Sequence, residues 1–169
     1  MIFNLIFSPA FVQAGSITVD SSAPAKNRAS LDQAQNGVPV VNITAPSAKG
    51  VSHNKFTNYN VDKKGLILNN SSEIGVSKLG GALYGNPNFQ QQKREANIVL
   101  NEATGVTRSD LLGYTEMFGK SAEFILANPN GIWADKKLYD LYLEAYTPWE
   151  WHEELFSYAK SIGIDIFSS

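Results

Sequence analysis

Short apolar runs separated by turn residues set the rhythm of residues 15–132. VPVVNI at 38–43 opens after Asn36-Gly37, and FTNYNV at 56–61 alternates large and polar side chains. LILN at 66–69 follows Lys64-Gly65 and runs into Asn69-Asn70, while IVL at 98–100 and AEFIL at 122–126 repeat the theme. Strands of this length, bounded by Gly and Asn, predict an all-β architecture. Helical periodicity is confined to a weak stretch at 107–118. No fixed repeat period is visible, so the coils of any stacked fold must be irregular. The spacing predicts roughly four or five coils of roughly 20–25 residues each.

Residues 133–169 follow another pattern, a helix and then a strand. Thr147 is placed as N-cap, Pro148 at the first helical position, and Glu150 completes a capping box. Glu153 and Glu154 suit the positive helix end and Lys160 the negative one. Trp151, Leu155, Tyr158 and Ile162 share a face, Gly163 caps, and IDIF at 164–167 reads as a strand. Trp149 and Trp151 are expected to expose apolar surface on a weakly docked helix.

Composition sharpens the boundary. All 15 asparagines and 12 of the 13 glycines fall within residues 1–132, whereas residues 133–169 hold all three tryptophans. That shift puts the join at Ile132–Ala134. Asn tolerates the left-handed region and closes Asx turns, so a chain turning every few residues concentrates it at corners. In a solenoid those corners stack, and Asn can bond from coil to coil.

Net charge is −2, and no Lys/Arg block or basic stripe is present, which argues against a nucleic-acid partner. The absence of cysteine excludes disulfides, thiolate catalysis and zinc–cysteine sites. The two histidines, His53 and His152, lie in unlike pieces, so no metal site is expected. His53 reads as a satisfied, partly buried ring. The N-terminal MIFNLIFSPAFVQA ends like the cleavage region of a secretory signal peptide, with cleavage before Gly15, although a basic n-region is missing. The alternative is a buried N-terminal strand.

Two tetrapeptides, Asn86-Pro87-Asn88-Phe89 and Asn128-Pro129-Asn130-Gly131, each suit a type I turn. With GVSHNKF at 50–56, GLILNN at 65–70, GVSKLGGAL at 75–83 and FILANPNGI at 124–132, they carry a specific likeness. Residues 30–132 resemble the N-terminal two-partner secretion domain of filamentous haemagglutinins and contact-dependent inhibition toxins. Phe89 stands where the family's NPNL motif has leucine; the NPNGI motif is whole.

The resemblance implies a right-handed parallel β-helix with a capping N-terminus. It implies a partner, an outer-membrane TpsB-type transporter with POTRA domains, and a secreted or cell-surface destination reached through the periplasm. Asn86, Pro87, Asn88, Phe89, Asn128, Pro129, Asn130, Gly131 and Ile132 are then the secretion-motif residues, contacting the transporter or shaping turns. A host-cell glycan or receptor would be met by a passenger missing here.

The tail, residues 134–169, resembles a slice of N-acetylneuraminate (sialic acid) synthase, a TIM-barrel enzyme. One helix and one strand cannot close a barrel, so no catalytic residue, cofactor or metal is assigned. The expected fold class is mainly β: a truncated right-handed parallel β-helix with a C-terminal helix–strand appendage from a TIM-barrel fold. The expected divisions are a signal-peptide remnant at 1–14, the secretion domain at 15–132 and the synthase-like fragment at 133–169. A solenoid cut mid-stack leaves unpaired edge groups, so residues 15–132 alone are expected to be poorly soluble. Two further readings compete: a synthase fragment, and a stand-alone glycan-binding adhesin domain with Phe56, Tyr59 and Tyr84 as candidate sugar platforms.

Overall fold

The computed structural model describes residues 17–134. The signal-peptide reading and the helix–strand tail lie outside these residues, apart from positions 133 and 134. Among the described residues there are twelve strands: β1 (Ile17–Val19), β2 (Ser30–Gln33), β3 (Pro39–Asn42), β4 (Val51–Tyr59), β5 (Leu66–Asn70), β6 (Gly75–Ser77), β7 (Gly81–Leu83), β8 (Ile98–Ala103), β9 (Ser109–Leu111), β10 (Thr115–Gly119), β11 (Glu123–Ala127) and β12 (Ile132–Ala134). Two short 3-10 turns, Ala25–Asn27 and Pro87–Phe89, complete the elements.

Parallel pairing stacks the chain into coils. β3, β5 and β10 form one face, with Val41 beside Leu68 and Met117 beside Leu68. β4, β8 and β11 form the second, with Ser52 beside Val99 and Phe124 beside Val99. β9 and β12 form the third, extended by a parallel bridge from Val61 to Leu111. The N-terminal end is closed by antiparallel strands, β1 on β4 and β2 on β3. The fold is thus a parallel β-helix with an antiparallel cap.

The expected four or five irregular coils are not what forms among the described residues. Three coils are described, because residues 71–97 leave the stack as the β6–β7 hairpin and the second 3-10 turn before β8 rejoins it. The weakly helical stretch at 107–118 is also strand, β9 and β10. Its apolar positions alternate between the two sides of a sheet; Glu116 and Phe118 are buried on one side and Met117 packs against the core on the other.

Two apolar clusters lie on opposite sides of one sheet. Val41, Ile43, Phe56, Tyr59, Leu66, Leu68 and Val99 fill the interior of the coils. Val40, Ile67, Phe118 and Leu83 form the second cluster outside, beneath the β6–β7 hairpin. Every residue of β5 is therefore buried, which explains its unbroken LILNN run. The hairpin sits close: a Cβ at Gly80 would lie 2.6 Å from Ile67 Cδ1 and 2.8 Å from Ala34 Cβ. Glu116 clamps its turn, accepting from Ser77 Oγ at 2.7 Å and from the amides of Lys78 and Leu79, each at 2.8 Å.

Polar ladders thread the interior. Asn54 Nδ2 donates to Asn101 Oδ1 at 3.0 Å, and Asn101 Nδ2 donates to the Tyr59 hydroxyl at 3.2 Å. Asn69 Nδ2 donates to Asn42 Oδ1 at 2.9 Å. These are coil-to-coil bonds of the kind that the asparagine content implied.

Candidate functional site: two NPN corners

Each NPN motif builds a corner of the same design. At the first, the Asn86 side chain accepts from the Asn88 amide at 2.8 Å, and the Phe89 amide donates to the Asn86 carbonyl at 3.1 Å. At the second, Asn128 accepts from the Asn130 amide at 2.9 Å, and the Gly131 amide donates to the Asn128 carbonyl at 3.1 Å. Proline sets φ at the second position of both turns and has no amide to leave unpaired. Pro87 and Pro129 are exposed, so each corner turns a rigid pyrrolidine ring outward.

The first asparagine of each motif also reaches into the stack. Asn86 is buried, and its Nδ2 donates to the carbonyls of Ile43 at 2.9 Å and Asn69 at 2.8 Å. Ile43 follows β3 and Asn69 lies near the end of β5 on the next coil, so one amide group ties both. Asn128 is likewise buried, and its Nδ2 donates to the Thr107 carbonyl at 3.0 Å and Ser109 Oγ at 2.9 Å. Side-chain amides here bond buried polar groups at the strand ends of neighbouring coils.

The second asparagines add anchors. Asn88 Nδ2 donates to the Asn42 carbonyl at 2.9 Å and the Ile43 carbonyl at 3.1 Å. Asn130 Nδ2 donates to the Gly105 carbonyl at 2.8 Å, at the surface. The fourth positions differ in kind. Phe89 is 1% exposed and belongs to the interior cluster, so the phenyl ring at the leucine position of the family motif is a core side chain. Gly131 has φ +99, a left-handed backbone that a side chain would strain. Ile132 opens β12 and is 42% exposed.

The two corners are not brought together. The first, between β7 and β8, is braced by Ile43 and Asn69 at the ends of β3 and β5; the second, between β11 and β12, is braced by Thr107 and Ser109 at the start of β9. Among the described residues no group of three His, Asp or Glu side chains could hold a metal. His53 Nε2 lies 2.7 Å from Glu102 Oε2, and Lys55 Nζ lies 3.4 Å from the same oxygen, a half-exposed cluster on the outer face of β4 and β8. Of the proposed sugar platforms, Phe56 and Tyr59 are buried in edge-to-face contact, with ring centroids 5.2 Å apart. They pack the core and cannot receive a sugar; Tyr84 is 82% exposed.

Sequence reasoning missed the carboxylates that brace this region. Glu95 accepts from the Ser72 hydroxyl and amide, which holds its carboxyl below the ordinary 4.5. This fixes the strand-to-hairpin exit two residues past β5, beside Ser71, whose carbonyl accepts from the Asn86 amide at 2.7 Å. Ser72 and Glu95 are 23 residues apart, and no local pattern signals such a pair.

The TPS secretion domain family model matches residues 15–137, and the NeuB family model matches residues 113–169. The shared stretch contains β10, β11 and β12, whose described residues pair as β-helix strands with β5, β8 and β9. β12 runs through Trp133 and Ala134, across the compositional break. Among curated relatives, the 16S rRNA endonuclease CdiA of Enterobacter cloacae subsp. cloacae is 49% identical over 115 residues, 68% of this chain and 3% of that protein. Filamentous hemagglutinin of Bordetella pertussis is 50% identical over 100 residues, 59% of this chain and 3% of that protein. Hemolysin of Serratia marcescens is 45% identical over 111 residues, 66% and 7% respectively. The chain thus spans a small fraction of the length of these relatives. The crystal structure of a filamentous hemagglutinin secretion domain superposes with a TM-score of 0.62 at 42% identity, covering 71% of this chain and 37% of that one.

Proposed function

We propose, for a chain that belongs to the TPS secretion domain family, that residues 17–134 direct export of an exoprotein and catalyse nothing themselves. The partner is an outer-membrane TpsB-type transporter, met in the periplasm through its POTRA domains. The destination is the cell surface or the medium. Binding of a host glycan or receptor would belong to a passenger beyond this stretch.

The observation that supports this reading is the pair of NPN corners on a β-helix. Their buried amide groups hold coils together, while Pro87 and Pro129 face solvent. Asn86, Asn88, Asn128, Asn130, Phe89 and Gly131 act by shaping the corners; Pro87, Pro129 and Ile132 are the parts a transporter could touch.

Co-expression of the full chain with a cognate transporter tests this. Wild type is expected in the medium only when the transporter is present. Asn86→Ala and Asn128→Ala should lose stability and secretion together. Pro87→Ala with Pro129→Ala should retain the fold and lose secretion. Release independent of the transporter would refute the reading.

A further inference from the structure

A cleft of about 600 Å³ runs between the first 3-10 turn and the loop after β3, and Lys26, Arg28, Ser47, His53, Asn88 and Gln92 are on its walls. A second depression continues it past Pro46, Ser47 and Gln92 to Arg94. The floor includes Val51 and His53 of β4, beyond the stretch that β1 covers, and the Val51 carbonyl there already accepts from the Ser47 amide at 2.9 Å. β1 pairs with β4 only from Phe56 to Tyr59. Nearer its start, β4 is met by side chains: Asn27 Nδ2 and Thr44 Oγ1 donate to the His53 carbonyl at 2.9 and 3.3 Å, and the Val51 amide donates to Ser47 Oγ at 3.3 Å.

The charge of this cleft is one-sided. Lys26, Arg28 and Arg94 border the two depressions and no Asp or Glu lines either, in a chain whose net charge is −2. Arg94 is also held in place, its guanidinium donating to the carbonyls of Ser47 at 2.7 Å and Pro46 at 3.3 Å. Lys26 and Arg28 stand at one end and Arg94 at the other, spaced along a groove rather than gathered around one point.

We propose that this cleft is a docking site for an extended, carboxylate-rich peptide segment of a protein partner. A single small anion would leave most of the groove empty and could not engage both ends. A nucleic-acid strand would call for aromatic rings on which bases stack, and the walls offer no Phe, Tyr or Trp. Spaced cations along a groove fit a peptide with acidic side chains at intervals.

The test is fluorescence polarisation of the full chain with a labelled peptide of alternating Glu and Gly, and with its Gln counterpart. Wild type should bind the Glu peptide, not the Gln peptide, and added salt should weaken binding. A K26E/R28E double variant should bind at least about tenfold more weakly. A K63E/K64E variant makes the same charge change on exposed residues elsewhere and should keep wild-type affinity. Circular dichroism must show all three chains equally folded. No binding by folded wild type, equal losses in both variants, full competition by millimolar inorganic phosphate, or tighter binding of an oligothymidylate would each overturn the proposal. Secretion is measured separately, so a failure here leaves the export reading standing.

Discussion

Asn86 donates its side-chain amide to the carbonyl of Asn69 at 2.8 Å from a fully enclosed position, at the point where the chain leaves β5 for the hairpin and returns. The same Nδ2 reaches Ile43 one coil away. A residue that sequence marks as a turn former is thereby also a cross-link between coils.

Replacing Asn86 with Ala removes the turn closure and two buried bonds together. The expected loss is roughly 2–4 kcal/mol of unfolding free energy, since a buried carbonyl deprived of its donor bears a desolvation penalty. Asn130→Ala keeps the backbone amide on Asn128 and removes only the surface anchor to Gly105 and a 3.3 Å side-chain contact to Asn128 Oδ1, with an expected cost of about 1 kcal/mol. Urea titration of both variants measures the contrast; equal midpoints would contradict it.

The buried Asn54–Asn101 contact predicts coupling between coils. Asn54 Oδ1 also accepts from the Thr44 amide at 2.8 Å, so Asn54→Ala leaves several buried groups unpaired and should cost about 2–3 kcal/mol. The double variant with Asn101→Ala should cost less than the two single variants added together. Strict additivity in a double-mutant cycle would show that the ladder carries no cooperative energy.

Glu116 holds the hairpin turn from the neighbouring face. Glu116→Ala should leave the coils intact and loosen residues 77–80. Hydrogen exchange at the amides of Lys78 and Leu79 should accelerate by at least about tenfold, while amides in β5 and β8 stay protected. Unchanged protection at Lys78 would mean that Ile67, Leu83 and Phe118 alone keep the hairpin down.

Glu95 supplies a pH dependence with a definite sign. Its folded carboxyl is lowered mainly by the Ser72 hydroxyl hydrogen bond, against a smaller opposing effect of burial. A lowered folded pKa contributes stability that is complete above the ordinary value of 4.5 and fades as pH falls through the folded value. Wild type should therefore exceed Glu95→Gln in urea midpoint near neutral pH, and the gap should close below pH 4.5. A gap that widened on acidification would reverse the assignment.

The sequence by itself determined the fold class and the corners. Apolar runs of strand length, with Asn and Gly between them, dictate a chain that turns often and pairs along its edges. NPN specifies a capped turn wherever it occurs, because proline fixes φ and the flanking Asn accepts the next free amide. Only the tertiary structure decided what those corners brace. The partners of Asn86 lie 17 and 43 residues away, and nothing local marks the carbonyls that a coil leaves unpaired. The same holds for Phe56 and Tyr59: three residues apart, they would fall on opposite faces of a regular strand, yet the β1–β4 register slips between Phe56 and Asn58 and both are buried in the core. The hairpin that breaks the regular stack, the two-sided burial of β5, and the spacing of Lys26, Arg28 and Arg94 along one groove all arise from residues far apart along the chain. Periodicity reads one strand at a time, and these features exist only between strands.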